Sequence, residues 1–305
     1  MTGPGRGACT VCGGDLVAHF PEARDPLTGD VFEVARCVSC GLGHTAPQPE
    51  DLGRYYAQVY YGRRHGFTLR HCMKRRLGFV AAAVRARPGG RLLDIGCGDG
   101  AFLLAARESG WEVSGTELNP EPARSAGLEV AEGPEHFSGG PPFDCVTMWH
   151  TLEHMRDPRQ ALVQARTLLA SGGRVVVAVP DWGGLQARVF GSHWFHLDVP
   201  RHLYHFDAGA LECCLTAAGF GIERRWHQEL EYDLLGWSQS ALNLLMARPN
   251  AFHHCLTGKH RDLGTGEKLL ACAIGTLLTV LSVPGLALGT LLGRGGTLIV
   301  AARPK

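Results

Sequence analysis

The stretch RLLDIGCGDGAFLLA, Arg91 to Ala105, constrains the fold more than any other part of the chain. Arg91 to Ile95 is a short apolar run interrupted by one carboxylate, suited to a buried parallel strand, and Ala101 to Arg107 has the spacing of a helix. Between them Gly96, Gly98 and Gly100 stand at alternate positions. A strand, a tight glycine turn and a helix in that order open a doubly wound α/β sheet, whose ligands sit beyond the C-terminal strand ends. Further strand-like runs at Trp111, Phe143 and Arg174 alternate with helical ones at Pro120 and Arg159, and two more lie near Gly221 to Trp226 and Gly296 to Ala302.

Gly96, Gly98 and Ala101 also satisfy the G-x-G-x-x-G/A pattern of dinucleotide sites, which alone is weak evidence for any one nucleotide. Asp94 separates the readings. A pyrophosphate against the turn and helix N-terminus would be repelled by a carboxylate at the strand end. S-adenosylmethionine has no phosphate and carries an ammonium and a sulfonium, so Asp94 favours it. Glu117 ends the alternating run WEVSGT, where an acid can accept both ribose hydroxyls of a nucleotide.

LDIGCGDG, GTELNP, FDCVTMWHTLEHMRDP and GGRVVVAVPD together resemble the class I S-adenosylmethionine-dependent methyltransferase family, over about Arg91 to Gln228 plus the C-terminal GGTLIVAARPK. Within it the sequence is most similar to the branch that includes the ubiquinone-biosynthesis O-methyltransferases. The resemblance implies a Rossmann-like seven-stranded sheet with an antiparallel last strand. It implies cofactor contacts at Asp94, Gly96, Cys97 and Gly98, at Glu117 with Leu118 on the ribose side, and at Trp149. LEVAEG, Leu128 to Gly133, would pass the adenine, with Glu132 in place of the usual Asp.

Methyl transfer is an in-line displacement on an already electrophilic carbon, so the protein mainly positions the acceptor and removes its proton. WHTLEHMRDP places His150, Glu153 and His154 just after the fourth strand, and a histidine suits proton removal near neutral pH. His154 is the first candidate base and His150 the second. In the ubiquinone-type enzymes a Glu-x-x-Glu-His pattern is associated with a divalent metal. Glu153 and His154 match it and His150 replaces the earlier glutamate, which leaves a metal here open.

After the fifth strand, GSHWFHLDVPRHLYHF holds His193, His196, His202 and His205 with Asp198 and Arg201. In this branch such a segment commonly forms the acceptor pocket, with Trp194 and Phe195 as walls and His193, Asp198, Arg201 and His202 as polar contacts. The competing account is a hydrogen-bonded loop whose histidines are satisfied internally.

CTVCGG and CVSCGLG supply Cys9, Cys12, Cys37 and Cys40, two C-x2-C pairs that match a structural zinc ribbon. The N-terminus lacks the apolar run of a secretory signal, so a cytoplasmic, reducing location is expected and disulfides are disfavoured. The other seven cysteines read as packing residues. The ribbon followed by Tyr55, Tyr56, Tyr60 and Tyr61 also resembles members of the same branch, sugar C-methyltransferases among them.

From Leu52 to Leu93 ten basic residues (Arg54, Arg63, Arg64, Arg70, Lys74, Arg75, Arg76, Arg85, Arg87, Arg91) occur without one acid. Helical spacing runs from Phe67 to Arg87, with Leu69, Met73, Leu77, Val80 and Val84 on one side, and Pro88 to Gly90 stop it. Such a helix either meets phosphate or packs its apolar side on the core. Leu269 to Gly293 carries no charge over 25 residues, long enough for a bilayer, but Pro284-Gly285 splits it and the last strand must return to the sheet. A helical pair in the membrane interface or an apolar lid over the acceptor is expected, preceded by an amphipathic helix from Leu234 to Arg248.

The chain therefore divides into a zinc ribbon at 1–50, a basic helical linker at 51–90, the cofactor-binding core at 91–228 with 294–305, and a hydrophobic helical insertion at 229–293. The reading is an S-adenosylmethionine-dependent methyltransferase for oxygen or carbon of a small, apolar, lipid-linked or glycan-type acceptor, with peripheral membrane contact. The alternative is an RNA methyltransferase gripping a backbone with the ribbon and basic stretch. A net charge of +1 gives no global field for nucleic acid, and WHTLEH replaces the Asn/Asp-Pro-Pro-aromatic turn of base-nitrogen methylation. Nothing in the sequence sets an oligomeric state.

Overall fold

The computed structural model describes residues 7–56, 66–84, 89–258 and 263–305 of the chain. Tyr60, Tyr61, Arg63, Arg64, Arg85, Arg87 and Pro88 lie outside the described residues. A meander opens the chain: β1 (Leu16–Arg24), β2 (Val31–Cys37) and β3 (Gly43–Ala46), each antiparallel to the strand before it. Asp25 shapes the first turn, accepting from the Thr28 amide at 2.9 Å and the Thr28 hydroxyl at 2.8 Å.

Next come α1 (Gly66–Ala83), β4 (Arg91–Ile95), α2 (Ala101–Glu108), β5 (Glu112–Thr116), α3 (Glu121–Ser125), β6 (Glu129–Ala131), β7 (Phe143–Trp149), α4 (Pro158–Leu168) and β8 (Leu169–Pro180). The chain continues through α5 (Leu185–Phe190), β9 (Tyr204–His205), α6 (Ala208–Ala217) and β10 (Phe220–Trp226). Four helices, α7 (Leu230–Leu245), α8 (Ala251–Thr257), α9 (Thr265–Leu281) and α10 (Val283–Leu291), precede the last strand, β11 (Thr297–Pro304).

Among the described residues the larger sheet has seven strands in the order β10-β11-β8-β7-β4-β5-β6. β4 pairs in parallel with both β5 and β7, β5 with β6, and β7 with β8, while β10 and β11 are antiparallel. This is the doubly wound sheet that the strand and helix order predicts. Its order reverses at β4, and the crevice beyond the carboxyl ends of the strands at such a reversal is where ligands bind. Leu92, Leu93 and the run Val175 to Val177 are buried, as strands covered on both faces require.

The chain divides into two compact units. One comprises Leu69–Val179, Leu211–Trp226 and Ile299–Lys305 and carries the seven-stranded sheet. Here α1 buries Cys72, Met73 and Val80 in the sheet's core cluster, with Leu69 and Leu77 packed at its edge. The basic segment thus packs its apolar side on the core, the second of the two readings given for it.

The other unit comprises Met1–Thr68, Pro180–Ala210 and His227–Leu298. Its four-stranded sheet has the order β1-β2-β3-β9, so the ribbon meander is extended by a strand from far downstream, with Gly43 opposite His205. A Cβ at Gly43 would lie 2.8 Å from the His205 Cβ and 3.2 Å from the Trp182 ring, so only glycine lets the strands meet there. In the insertion the break between α9 and α10 falls at Ser282, two residues before Pro284. Proline is tolerated in a first helical turn, where its missing N–H is not needed, so Pro284 opens α10 instead of ending α9. No single described helix is long and apolar enough to cross a membrane; α9 and α10 qualify only together, bent by 41°.

Candidate active site

Gly96, Gly98 and Gly100 all adopt positive φ, at 76°, 58° and 79°, which is why three glycines recur in this turn. The amides of Gly96 and Cys97 donate to the Thr116 carbonyl at 2.8 and 2.9 Å, tying the end of β4 to the end of β5. A Cβ at Gly96 would meet the Thr151 side chain, 2.5 Å from its Oγ1, so the turn lies directly against the segment that follows β7. At Gly98 a Cβ would meet nothing within 4 Å, and that side of the turn is open.

Two carboxylates flank the turn. Glu117 accepts from the Gly98 amide at 2.8 Å and from the Leu118 amide at 2.9 Å, while the Leu118 side chain is 90% exposed. Asp94 is buried and accepts the Thr147 hydroxyl at 2.6 Å from the opposing position on β7. Burial, then the charges of Asp94 and Glu117, push the Cys97 thiol well above its ordinary value. The turn is therefore a region of negative potential, which welcomes an ammonium or sulfonium and opposes a pyrophosphate.

Trp149 ends β7 with its ring buried against Phe102 at 5.3 Å and Phe79 at 6.5 Å. The buried Arg76 of α1 lies over the indole, 4.9 Å from its centre. The indole N–H is buried and has no acceptor among the described residues. His150 follows in the left-handed region at φ 51°, its amide donating to the Ala178 carbonyl at 2.9 Å. That strained backbone turns the chain into one turn of 3-10 helix, Leu152–His154. The His150 Nδ1 comes 3.8 Å from an oxygen of the buried Glu153, and His154 is half-buried at the end of the turn. Sequence reasoning missed Thr147, Thr151 and Arg76. For the threonines the signal was present, polar side chains next to strand-end apolar residues; Arg76 was hidden in a run of three cations.

In the segment after β8, where an acceptor pocket is expected, several side chains have partners inside the fold. Trp194 is buried in the second unit's core, donating its indole N–H to Gln186 Oε1 at 3.3 Å. Arg201 is 1% exposed and donates to Asp25 at 2.8 Å, to Asp198 at 2.6 and 2.9 Å, and to the Tyr55 carbonyl at 3.2 Å. A buried guanidinium needs carboxylate partners, and the β1–β2 turn supplies one. Trp194 and Arg201 thus hold this unit together. His202 pairs its Nδ1 with the His196 carbonyl at 2.8 Å, and His205 is 3.0 Å from the Thr45 hydroxyl, its pKa lowered to about 3 by burial and then by His44. His193 alone of the four histidines is exposed.

Cys9, Cys12, Cys37 and Cys40 converge, their sulfurs all within 4.8 Å of one another. Cys9 and Cys40 are 3.7 Å apart and Cys12 and Cys37 3.4 Å, close to the roughly 3.8 Å between thiolates on one tetrahedral zinc. Burial opposes ionisation of Cys37, but the backbone amides of Cys40 and Ser39 with the Cys12 and Cys40 thiols hold it below its ordinary value, while burial pushes the thiols of Cys9 and Cys40 up. The four sulfurs fit a ribbon site.

A family model described as a methyltransferase domain matches residues 65–224, more than half of the chain. The chain belongs to the class I S-adenosylmethionine-dependent methyltransferases. The methyltransferase is 30% identical over 145 residues to a ubiquinone biosynthesis O-methyltransferase of Xanthomonas campestris pv. campestris, covering 43% of this chain and 60% of that one. It is 37% identical over 118 residues to an uncharacterized 37.1 kDa protein in a transposon of Streptomyces fradiae, covering 34% of each. It thus spans at most 60% of the length of these curated relatives. Among solved structures, a SAM dependent methyltransferase from Archaeoglobus fulgidus is similar with a TM-score of 0.47 and 20% identity, over 76% of this chain and 93% of that one.

Proposed function

We propose that this methyltransferase moves a methyl group to an oxygen or carbon of a small, apolar, lipid-linked or glycan-type acceptor. The observation that carries the apolar, lipid-linked form is the surface of the helical insertion. Leu277, Val280, Leu281, Leu288, Leu291 and Leu292 on and next to α9 and α10 are 50% to 85% exposed, far more apolar surface than scattered surface leucines explain. That surface favours contact with a membrane interface, where such an acceptor resides.

The donor's contribution is a methyl group on a sulfonium. In this reading the open face at Gly98 seats the methionine end, Asp94 and Glu117 supply the negative field it needs, and Glu117 holds the ribose. The unmatched indole N–H of Trp149 is a donor reserved for a bound group. His154 takes the acceptor's proton, and His150 with Glu153 forms an imidazole–carboxylate pair that fixes the turn carrying it. Glu153 and His154, whose ligand atoms lie within 4.8 Å of each other, also suit a divalent ion, which would supply Lewis acidity toward an acceptor oxygen. Cys9, Cys12, Cys37 and Cys40 hold a structural zinc, a closed site without chemistry. His193 and Asp198 remain candidates for polar acceptor contacts, because neither is buried.

The RNA reading rests on the basic stretch. Of its described members Arg70 and Lys74 are exposed, but Arg54 is paired with Asp30 at 2.7 Å, Arg75 lies over Phe79, Arg76 over Trp149 and Arg91 over Phe143, so the described members do not form a continuous cationic face. The test uses S-adenosylmethionine labelled at the methyl group, offered with an organic-solvent lipid extract, a water-soluble metabolite fraction or purified RNA. Label is expected in the lipid extract, lost by His154→Ala while calorimetric affinity for S-adenosylhomocysteine is unchanged. Label in RNA would overturn the proposal, and full turnover by the variant would remove His154 from its role.

A further inference from the structure

We propose that the ribbon-bearing unit docks on an anionic lipid surface through the apolar faces of α9 and α10, with Arg188 and Arg294 receiving headgroup phosphates. The inference rests on the membrane-interface reading above and adds the charge of the surface. A cleft of about 680 Å3 in this unit is lined by Val17, Val38, Arg36, Asp181, Arg188 and Arg294, among others. Both valines are exposed. Its cations are not all matched by its acids.

Asp207, also on the cleft, is bound to Arg36 at 3.0 Å through one oxygen and caps the Ala210 amide at 2.9 Å through the other. Asp181 is buried and accepts the Gly183 amide at 3.0 Å. Asp181 is the one acid left for Arg188 and Arg294, which both act on its charge, so the two cations share a single buried carboxylate. Arg188 donates its Nε to the Gly183 carbonyl at 3.0 Å, and its terminal nitrogens have no partner among the described residues. The Arg294 guanidinium has no hydrogen bond or ion pair among them, and both side chains are exposed.

The apolar and cationic features are contiguous. α5, which carries Arg188, packs against α10, and the Leu185 amide donates to the Arg294 carbonyl at 2.9 Å. Arg294 follows within three residues of the exposed Leu291 and Leu292, and α5 itself exposes Val189. Apolar area beside exposed guanidinium groups that outnumber their acids is the two-part signal of stable peripheral binding to an anionic leaflet. A second copy on the same face would bring Arg188 and Arg294 toward their own copies, a like-charge contact that disfavours a symmetric dimer.

The experiment is flotation of the full chain with vesicles of phosphatidylcholine alone or mixed with phosphatidylglycerol. The wild type is expected to prefer the anionic vesicles and to lose that preference in high salt. An Arg188→Ala/Arg294→Ala variant should bind them about 25-fold more weakly, about fivefold for each charge removed. Leu277→Glu/Leu291→Glu should lose binding to both vesicle types. S-adenosylhomocysteine affinity, unchanged in every variant, reports that each is folded. Equal wild-type binding to neutral and anionic vesicles would overturn the charge selection and leave the interface reading standing. No binding to either would overturn both, and a dimer in light scattering that Leu291→Glu dissociates would assign the face to a second copy.

Discussion

Gly96→Ala tests the packing of the cofactor turn against the catalytic segment. At φ 76° an alanine costs about 1–2 kcal/mol, because the left-handed region crowds a Cβ. The new methyl also overlaps the Thr151 side chain, lying 2.5 Å from its Oγ1, an overpacking of about 1–3 kcal/mol. The single variant should therefore lose roughly 2–5 kcal/mol of stability. Thr151→Ala removes both clashing atoms and leaves only the Cβ, 3.1 Å away, a contact that a shift of a few tenths of an ångström relieves. In the Gly96→Ala background it should recover the steric part, about 1–3 kcal/mol, and leave the backbone part. By itself Thr151→Ala should be mildly destabilising, since its hydroxyl donates to the Trp149 carbonyl at 3.3 Å. Urea unfolding of the wild type, both singles and the double gives the coupling directly. Additivity within about 0.5 kcal/mol would refute the reasoning, because it would mean that the two side chains do not meet.

Two further outcomes follow from buried charge. Arg201→Ala strands the buried Asp25 carboxylate and should cost about 3–5 kcal/mol, whereas Arg36→Ala, which breaks the more exposed pair with Asp207, should cost about 1 kcal/mol or less; comparable losses in chemical denaturation would contradict this. Asp233 is buried with Oδ1 accepting the Thr297 hydroxyl at 2.7 Å, and burial raises its carboxyl to about 8. Its folded pKa lies above its unfolded value, so the folded state keeps a proton that the unfolded chain has released. Stability should fall as pH rises toward 8, by up to about 1.4 kcal/mol per pH unit. Asp233→Asn should flatten the profile of midpoints between pH 6.5 and 8.5, the residual slope below pH 7 coming from Asp181, which burial raises to about 7. An unchanged profile would show that Asp233 does not hold the proton.

The seven-stranded sheet was legible because its signals are local: strand, glycine turn and helix lie within fifteen residues at Arg91 to Ala105, and the acid at Glu117 follows at the next strand end. The convergence of four cysteines was legible from two short knuckles. What escaped the sequence depends on partners remote along the chain. Arg201 and Trp194 carry the residue types of a binding pocket, yet Asp25 and Gln186 bind them inside the fold. Nothing in GSHWFHLDVPRHLYHF distinguishes a polar side chain aimed at a ligand from one aimed at an internal counterion. Arg76 shows the same limit, since helical spacing does not tell which cation of a run will lie over an indole.

The pairing of β3 with β9 has a consequence for how the chain is made. His44 and Tyr204 face each other across 160 positions, so at ribosomal rates the N-terminal sheet waits roughly 10–30 s with one edge bare. During that interval the β3 backbone is a template for any passing strand, and an early metal ion would brace the two knuckles without shielding that edge. Nascent chains stalled between those positions should accordingly be the most prone to clump, and a fragment ending before Tyr204 should be poorly behaved even when loaded with metal.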